Sequence, residues 1–376
     1  MNEIGIGHAS TMTIEKTTHK TEVVRVDELI KVANSDRLST VKVYDYASVV
    51  LTNEWQPGDL AAWIQPDSVV DVTRPEFAFL APKATDNKVR IRTTRLRGVL
   101  SYGLLVKAPV GSKIGDDVSE ALGVVHWEPD ETPGFSVHGG ENAKSPSGVF
   151  PTYDVDAYLK FGRLVFVPGE PVFITEKIQG ANGKCVFKDG QQYCGTRTQW
   201  KKEFPSKPTQ TYEEILAQFE NDEAKAKSAW RKIENWKPKR SRWWSAFHNS
   251  PGISEFCKAN PGYALYGEVY GQVGGYHYGI ENGESKFFAF DILTPDGQWL
   301  DFPNFLDKIN EFGIPHVPIL HQAFPFDFDA ISEMANGHSL VPNAENIREG
   351  VVVGTVKERW DERLGRVKLK VINPDY

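Results

Sequence analysis

Lys177 closes the run Phe173-Ile174-Thr175-Glu176-Lys177, and Gly180 follows three residues later. A lysine at a strand end, ahead of a glycine that admits close backbone approach, is suited to meet a phosphate. To act as a nucleophile it must first lose a proton, because an ammonium has no lone pair. Nearby cations favour the neutral amine. Lys368 and Lys370 offer two, since their period-2 spacing sets both on one face of a strand with Val367, Leu369 and Val371 behind. Glu349 stands just before Gly350 and an apolar run, and Glu268 lies between Gly267 and Val269. Taken singly, each pattern also fits an ordinary strand end or amphipathic strand.

The elements that must position these groups fall into two halves. The 376 residues are 40% apolar and 25% charged, the composition of a globular protein of about two domains. Short β-like runs at Glu22–Val26, Thr40–Tyr46, Asp59–Gln65, Lys88–Arg92 and Val99–Lys107, with turn residues between them, predict a small OB-like barrel over 21–127. A short helix is expected at Val26–Ala33, and residues 1–20 read as a flexible tail. Residues 128–150 are dense in Pro, Gly and polar residues and read as a linker. From 151 to 376 the pattern is mixed. Strands are expected at Leu164–Val167, Pro171–Lys177, Lys184–Phe187, Ala264–Val269, Phe287–Ile292, Gly350–Val356 and Arg366–Ile372, and helices at Thr211–Trp236 and Asn304–Phe312. The fold class is therefore α+β.

Several classes of function are disfavoured. A net charge of −7 speaks against a general nucleic-acid coat but leaves room for local basic grooves. Three cysteines without a CxxC indicate neither a disulfide framework nor a structural zinc, and favour a reducing compartment. The polar start lacks the core of a signal peptide, and no run approaches the roughly 18 apolar residues of a membrane span. The expectation is a monomer acting in a cytoplasm, or a phage-encoded protein acting in that of its host. No P-loop pattern is present, and histidines such as His316 and His321 lack metal-ligand spacing.

Five segments occur in order: TEKIQGAN, YGEVYG, FFAFDI, REGVVV and VKLKV. Together they resemble the motifs of the covalent nucleotidyltransferases, and most closely those of the nick-sealing RNA ligase 2 group. The chain ends six residues beyond Lys370, so an OB domain is expected in front of the catalytic part, as in the Deinococcus-type branch. The resemblance implies an ATP-dependent RNA ligase that needs Mg²⁺ or Mn²⁺. It implies that Lys177 carries AMP, that Glu349 positions metal, and that Glu268 contacts ribose or metal-bound water. It also implies that Phe290 stacks on adenine, that Glu176 reads the adenine amino group, and that Arg197 and Asn182 lie near the phosphates. The substrate implied is RNA with 3′-hydroxyl and 5′-phosphate ends, at nicks in duplexes. Relatives usually read K-x-H-G, whereas this chain has Gln179, which can hydrogen-bond but cannot titrate. Asp291 is a weaker candidate, since Asp at a strand end often only caps.

Two basic stretches stand outside these motifs. Arg231, Lys232, Lys237, Lys239, Arg240 and Arg242 are interleaved with Trp230, Trp236, Trp243 and Trp244. They read either as an RNA contact or as a helix whose tryptophans pack inward. Lys88, Arg90 and Arg92 share one face of a strand, either simply solvated or tracking phosphates. The rivals to the ligase reading are a DNA ligase or capping guanylyltransferase, and a non-catalytic RNA-binding protein.

Overall fold

The computed structural model describes residues 18–127, 141–271, 276, 278–280 and 284–376. The chain divides into two compact units. The first takes residues up to 130 together with 156–165 and 360–367, and the second takes the remainder. Among the described residues no helix is long and apolar enough to cross a membrane.

The first unit is built from short antiparallel strands: β1 (Glu22–Arg25), β2 (Leu38–Val43), β3 (Tyr46–Leu51), β4 (Leu60–Ile64), β5 (Ser68–Asp71), β6 (Lys88–Arg90), β7 (Thr94–Leu96), β8 (Val99–Ser101) and β9 (Leu104–Lys107). Strand β4 lies between β1 and β9, and both its faces are covered. Ala61 and Trp63 pack with Val26, Val41, Val50 and Leu105. Ala62 and Ile64 pack with Val23, Val70, Phe77 and Val106. Side chains of successive strand residues point to opposite faces, so a continuous apolar run suits a strand buried on both.

Three expectations about local structure change here. Val26–Ala33 is not helical: Ile30–Lys31 pairs with Ser39 and Thr40, and that backbone pairing outweighs a weak local helical pattern. Leu164–Val167 is not a strand. Helix α1 (Tyr158–Val165) takes its first two residues, because Tyr158, Phe161 and Val165 recur at helical spacing and are all buried, and 166–167 belong to no regular element. The ends of the expected tail and linker are also engaged. His19 bonds to Ser68, and the Lys20 carbonyl accepts from Gln65. Glu141 accepts from Lys202 and from the Ser206 amide, and Phe150 packs edge-on against Trp200. Residues 1–17 and 128–140 lie outside the described residues.

Two antiparallel sheets carry the second unit. Strands β10 (Pro171–Lys177), β11 (Ala181–Lys188), β12 (Gln191–Thr196), β13 (Ala264–Gly271), β14 (Ser285–Leu293), β15 (Ile319–Pro325), β16 (Gly350–Thr355) and β17 (Lys368–Ile372) follow in chain order. One sheet contains β17-β16-β10-β15, and the other contains β12-β11-β13-β14. Helices α2 (Tyr212–Gln218) and α3 (Glu223–Glu234) divide the expected long helix, with Glu220 and Asn221 at positive φ between them. Thr211 opens α2 in a capping box with Glu214, and Asp222 caps α3. Helices α4 (Arg242–Asn249), α5 (Ile253–Ala259) and α6 (Phe302–Glu311) contribute Phe247, Phe256, Phe302 and Phe305 to the main core.

Candidate functional site

Register decides which of the motif residues meet. In the β10–β16 pairing, Lys177 stands opposite Gly350, so Glu349 arrives beside the lysine at the mouth of the two strands. Lys177 Nζ donates to Glu349 Oε1 at 2.5 Å. The other oxygen, Glu349 Oε2, is buried without a hydrogen-bond partner. Gly350 holds this arrangement: its φ is +154°, and a Cβ there would meet the Val371 carbonyl oxygen at 2.0 Å.

Glu268 enters from the second sheet, paired opposite Asn182. Burial pushes its carboxyl up to about 8. The Lys177 charge pulls it down and the Glu349 charge adds to the rise. Gly180 explains how Glu268 fits. A Cβ at Gly180 would lie 2.4 Å from the Val269 carbonyl oxygen and 2.7 Å from Glu268 Cγ. The glycine three residues after the lysine therefore admits β13 and the Glu268 side chain.

Lys177 and Glu268 line a cavity of about 230 Å³ with Phe173, Glu176, Ile178, Asn182, Arg197, Phe290, Val317, Val352, Lys368 and Lys370. The apolar part, Phe290 with Ile178, Val317 and Val352, suits a flat ring. The cationic part suits phosphate. Strand β14 carries a bulge that sharpens this division. Tyr266 pairs with Asp291 and Gly267 with Ala289, leaving Phe290 as the extra residue. As a result, neighbouring residues Phe290 and Asp291 both touch Tyr153: the rings lie 4.6 Å apart, and the Tyr153 hydroxyl donates to Asp291 Oδ2 at 2.7 Å.

Several of these side chains have partners that the sequence did not foretell. Lys368 is bound to Asp291 Oδ2 at 2.6 Å and to the Tyr153 hydroxyl at 2.9 Å, so a carboxylate faces its charge. Asp291 thus does more than cap a strand. The Glu176 carboxylate is also committed. It accepts from Ser339 Oγ and the Leu340 amide, both at 2.6 Å, with Arg348 Nε 3.9 Å away. Glu176 lines the same cavity as Lys177, and these bonds tie its carboxylate to the segment before Glu349. Burial raises its proton affinity, against the pull of those donors and of Arg348.

Arg197 pairs with Asp154 at 2.6 Å at the cavity wall, and Asn182 Oδ1 is buried without a partner. The Gln179 amide donates to the Tyr278 hydroxyl, and its side-chain oxygen accepts from Tyr376. Tyr153, Asp154, Ile178 and Val317 were not singled out in the sequence. Val352 had a signal: it alternates with buried Val351 and Val353 on β16.

The basic stretches lie elsewhere. Arg231, Lys232, Lys237, Lys239 and Arg240 are exposed, and Arg242 is half-buried. Arg240 pairs with Glu203 at 2.8 Å. The tryptophans among them pack. Trp230 meets Tyr212 edge-on, Trp243 donates to the Asn182 carbonyl, and Trp244 donates to the Lys201 carbonyl. In the first unit, Lys88 and Arg92 are exposed, whereas Arg90 bonds Asp67 and lies 3.3 Å over the Trp127 ring.

Among the described residues no cluster of three or more His, Cys, Asp or Glu is arranged to hold a metal by itself. Two carboxylates beside a phosphate pocket fit a cation that shares its coordination with substrate and water. The unpartnered Glu349 Oε2 is the atom such an ion would satisfy.

Residues 170–372 match the RNA ligase family, and residues 21–108 match an OB-fold domain. No curated protein matches the chain. Solved structures of an RNA ligase from Naegleria gruberi are similar across nearly the whole length. A lysine-to-methionine mutant with AMP and Mn is 22% identical at a TM-score of 0.74, covering 96% of this chain and 98% of that one. A glutamate-to-alanine mutant with ATP and Mn is 22% identical at 0.72, covering 94% and 97%. The form with pyrophosphate is 23% identical at 0.71, covering 94% and 96%.

Proposed function

The chain belongs to the RNA ligase family, and from that premise we propose that it is ATP-dependent and joins 3′-hydroxyl and 5′-phosphate RNA ends through AMP held covalently on Lys177. The observation that carries this reading is the placement of Lys177 beside Glu349, in a cavity with an aromatic face at Phe290 and cations at Lys368, Lys370 and Arg197. The similar Naegleria ligase has been captured with ATP, AMP, Mn and pyrophosphate, which are the reactant, the products and a metal of this chemistry.

Lys177 Nζ, once deprotonated, forms a P–N bond to the α-phosphorus of ATP. The bond from that phosphorus to the β-bridging oxygen breaks, and pyrophosphate leaves. A 5′-phosphate oxygen of RNA then displaces Lys177 and takes the AMP. Finally the 3′-hydroxyl attacks the adenylylated phosphate, and AMP departs. Glu349 and Glu268 are the residues that would hold Mg²⁺ or Mn²⁺, which when bound neutralises phosphate charge. Phe290 orients the base, while Lys370, Arg197 and Asn182 fix the phosphates. Positioning and charge matching supply most of the acceleration.

We assign the substrate as a nick in duplex RNA, in the repair of broken RNA by a monomeric enzyme acting in a cytoplasm. Exposed Lys88 and Arg92, with Arg231, Lys232, Lys237 and Lys239, are the cations offered to its backbone. Incubation with α-labelled ATP is expected to label the protein, and Lys177→Ala to abolish the label. Labelling by GTP alone would indicate a guanylyltransferase. Sealing of matched single-stranded, nicked RNA and nicked DNA substrates tests the acceptor; equal sealing of free single strands would overturn the nick assignment.

A further inference from the structure

Tyr153 lies ahead of the matched stretch 170–372, yet it touches both halves of the nucleotide pocket. Its hydroxyl donates to Asp291 Oδ2 at 2.7 Å and accepts from Lys368 Nζ at 2.9 Å. The lysine also donates to the same carboxylate oxygen at 2.6 Å. Three groups therefore close a triangle of hydrogen bonds. Lys368 and Asp291 are both buried, and a charge in such a place is tolerated only when paired and well bonded.

The triangle does something the ion pair alone cannot. An ammonium facing one carboxylate oxygen keeps its distance but can still swing around it. A second acceptor on the ammonium, itself a donor to the carboxylate, removes that freedom. The ring of the same tyrosine lies against Phe290, with centroids 4.6 Å apart and planes 42° apart. Behind it, Trp299 packs edge-on at 5.3 Å and Tyr266 lies at 5.7 Å. Tyr266 also donates to the Pro151 carbonyl at 3.0 Å, which fixes the chain two residues before Tyr153. The tyrosine is thus braced from behind and presses on the pocket from the front.

We propose that Tyr153 is a positioning residue for nucleotidyl transfer: its hydroxyl sets the Lys368 ammonium for the phosphate, and its ring sets the Phe290 face for the base. This rests on the reading of the cavity as an ATP site. It separates two functions of one side chain that substitutions can divide. Tyr153→Phe keeps the ring and loses the hydroxyl. Tyr153→Leu loses both.

The experiment is single-turnover formation of lysyl-AMP on the full chain across ATP concentrations. Tyr153→Phe is expected to slow the maximal rate by roughly tenfold and leave the half-saturating ATP concentration near that of the parent. Tyr153→Leu is expected to slow it similarly and raise that concentration several-fold. A second measurement is ATP affinity in the Lys177→Ala background, where no chemistry occurs. There Tyr153→Phe should bind as the parent does, and Tyr153→Leu should bind more weakly. Replacement of Tyr153 by 3-fluorotyrosine keeps the fold if phenylalanine does not, and is expected to shift the rate because it changes the hydroxyl's acidity. A Tyr153→Phe or fluorotyrosine rate equal to the parent's overturns the role of the hydroxyl. Equal ATP affinity in Tyr153→Leu overturns that of the ring. Persistence of label in Lys177→Ala alone would instead remove the ATP-site reading, so the two failures are distinguishable.

Discussion

Cations stand beside aromatic rings in two regions of the second unit, and they are used differently. In the pocket, Lys368 lies 5.6 Å from the Tyr153 ring centroid and is buried with a carboxylate bound to it. Along 230–244, Arg231, Lys232, Lys237 and Lys239 face solvent, while Trp230, Trp243 and Trp244 turn inward to Tyr212 and to backbone carbonyls. A buried charge acts at one place and interacts strongly, because little water screens it. An exposed charge is screened, and its contribution adds to those of its neighbours. The pocket can therefore hold one ligand in one pose, whereas the basic segment can offer only a diffuse attraction for a polyanion.

That contrast is broken or sharpened by substitutions of very different expected size. The largest effect is expected on the pocket side. Glu349→Ala removes both the partner of Lys177 and the unpaired oxygen proposed for metal, and should lower lysyl-AMP formation by roughly 10²–10³-fold, the scale of losing one preorganised electrostatic group. Label transfer across a series of Mg²⁺ or Mn²⁺ concentrations checks this; parental activity at every concentration would refute the role in metal binding.

The next effect is one of pH. With its carboxyl raised from 4.5 to about 8, Glu268 becomes a carboxylate only toward alkaline pH, so lysyl-AMP formation should climb as pH rises through about 8. Glu268→Gln should lower activity and flatten that climb. Stability moves in the opposite direction. Between 4.5 and 8 the folded protein holds a proton that the unfolded chain has released, so folding weakens as pH rises across this window. Glu268→Gln should remove that slope, as read from melting temperatures at pH 5 and pH 8.5.

The smallest effect belongs to the basic segment. Lys237→Ala with Lys239→Ala should leave lysyl-AMP formation unchanged and make RNA binding less salt-dependent. Each lost phosphate contact is expected to reduce the log–log salt slope by roughly 0.7–0.9. An unchanged slope would show that these lysines do not meet the backbone.

Legibility in the sequence followed the range of the interaction. Lys177, Glu268, Lys368 and Lys370 sit in short apolar strands whose alternation says which side chains share a face, and Glu349 directly precedes another. Glu176 adjoins the lysine in sequence, but its partners Ser339 and Leu340 are 163 and 164 residues distant. Tyr153 reaches Asp291 across 138 residues, from just beyond the stretch 128–150 whose Pro, Gly and polar content reads as a linker. Leu164–Val167 read as a strand because its apolar residues form too short a run to fix a period, and its first two residues end the helix Tyr158–Val165.

The sequence by itself determined an α+β chain with an OB-fold domain ahead of a family-typical set of lysines and carboxylates, because strand alternation and turn residues act locally. Tertiary structure decided which of those groups meet. Antiparallel register carries Glu349 to Lys177, and the missing Cβ of Gly180 lets Glu268 close in. A single extra residue in β14 turns both Phe290 and Asp291 toward Tyr153. Register, close approach and bulges are properties of paired strands, and no strand contains the information about its partner.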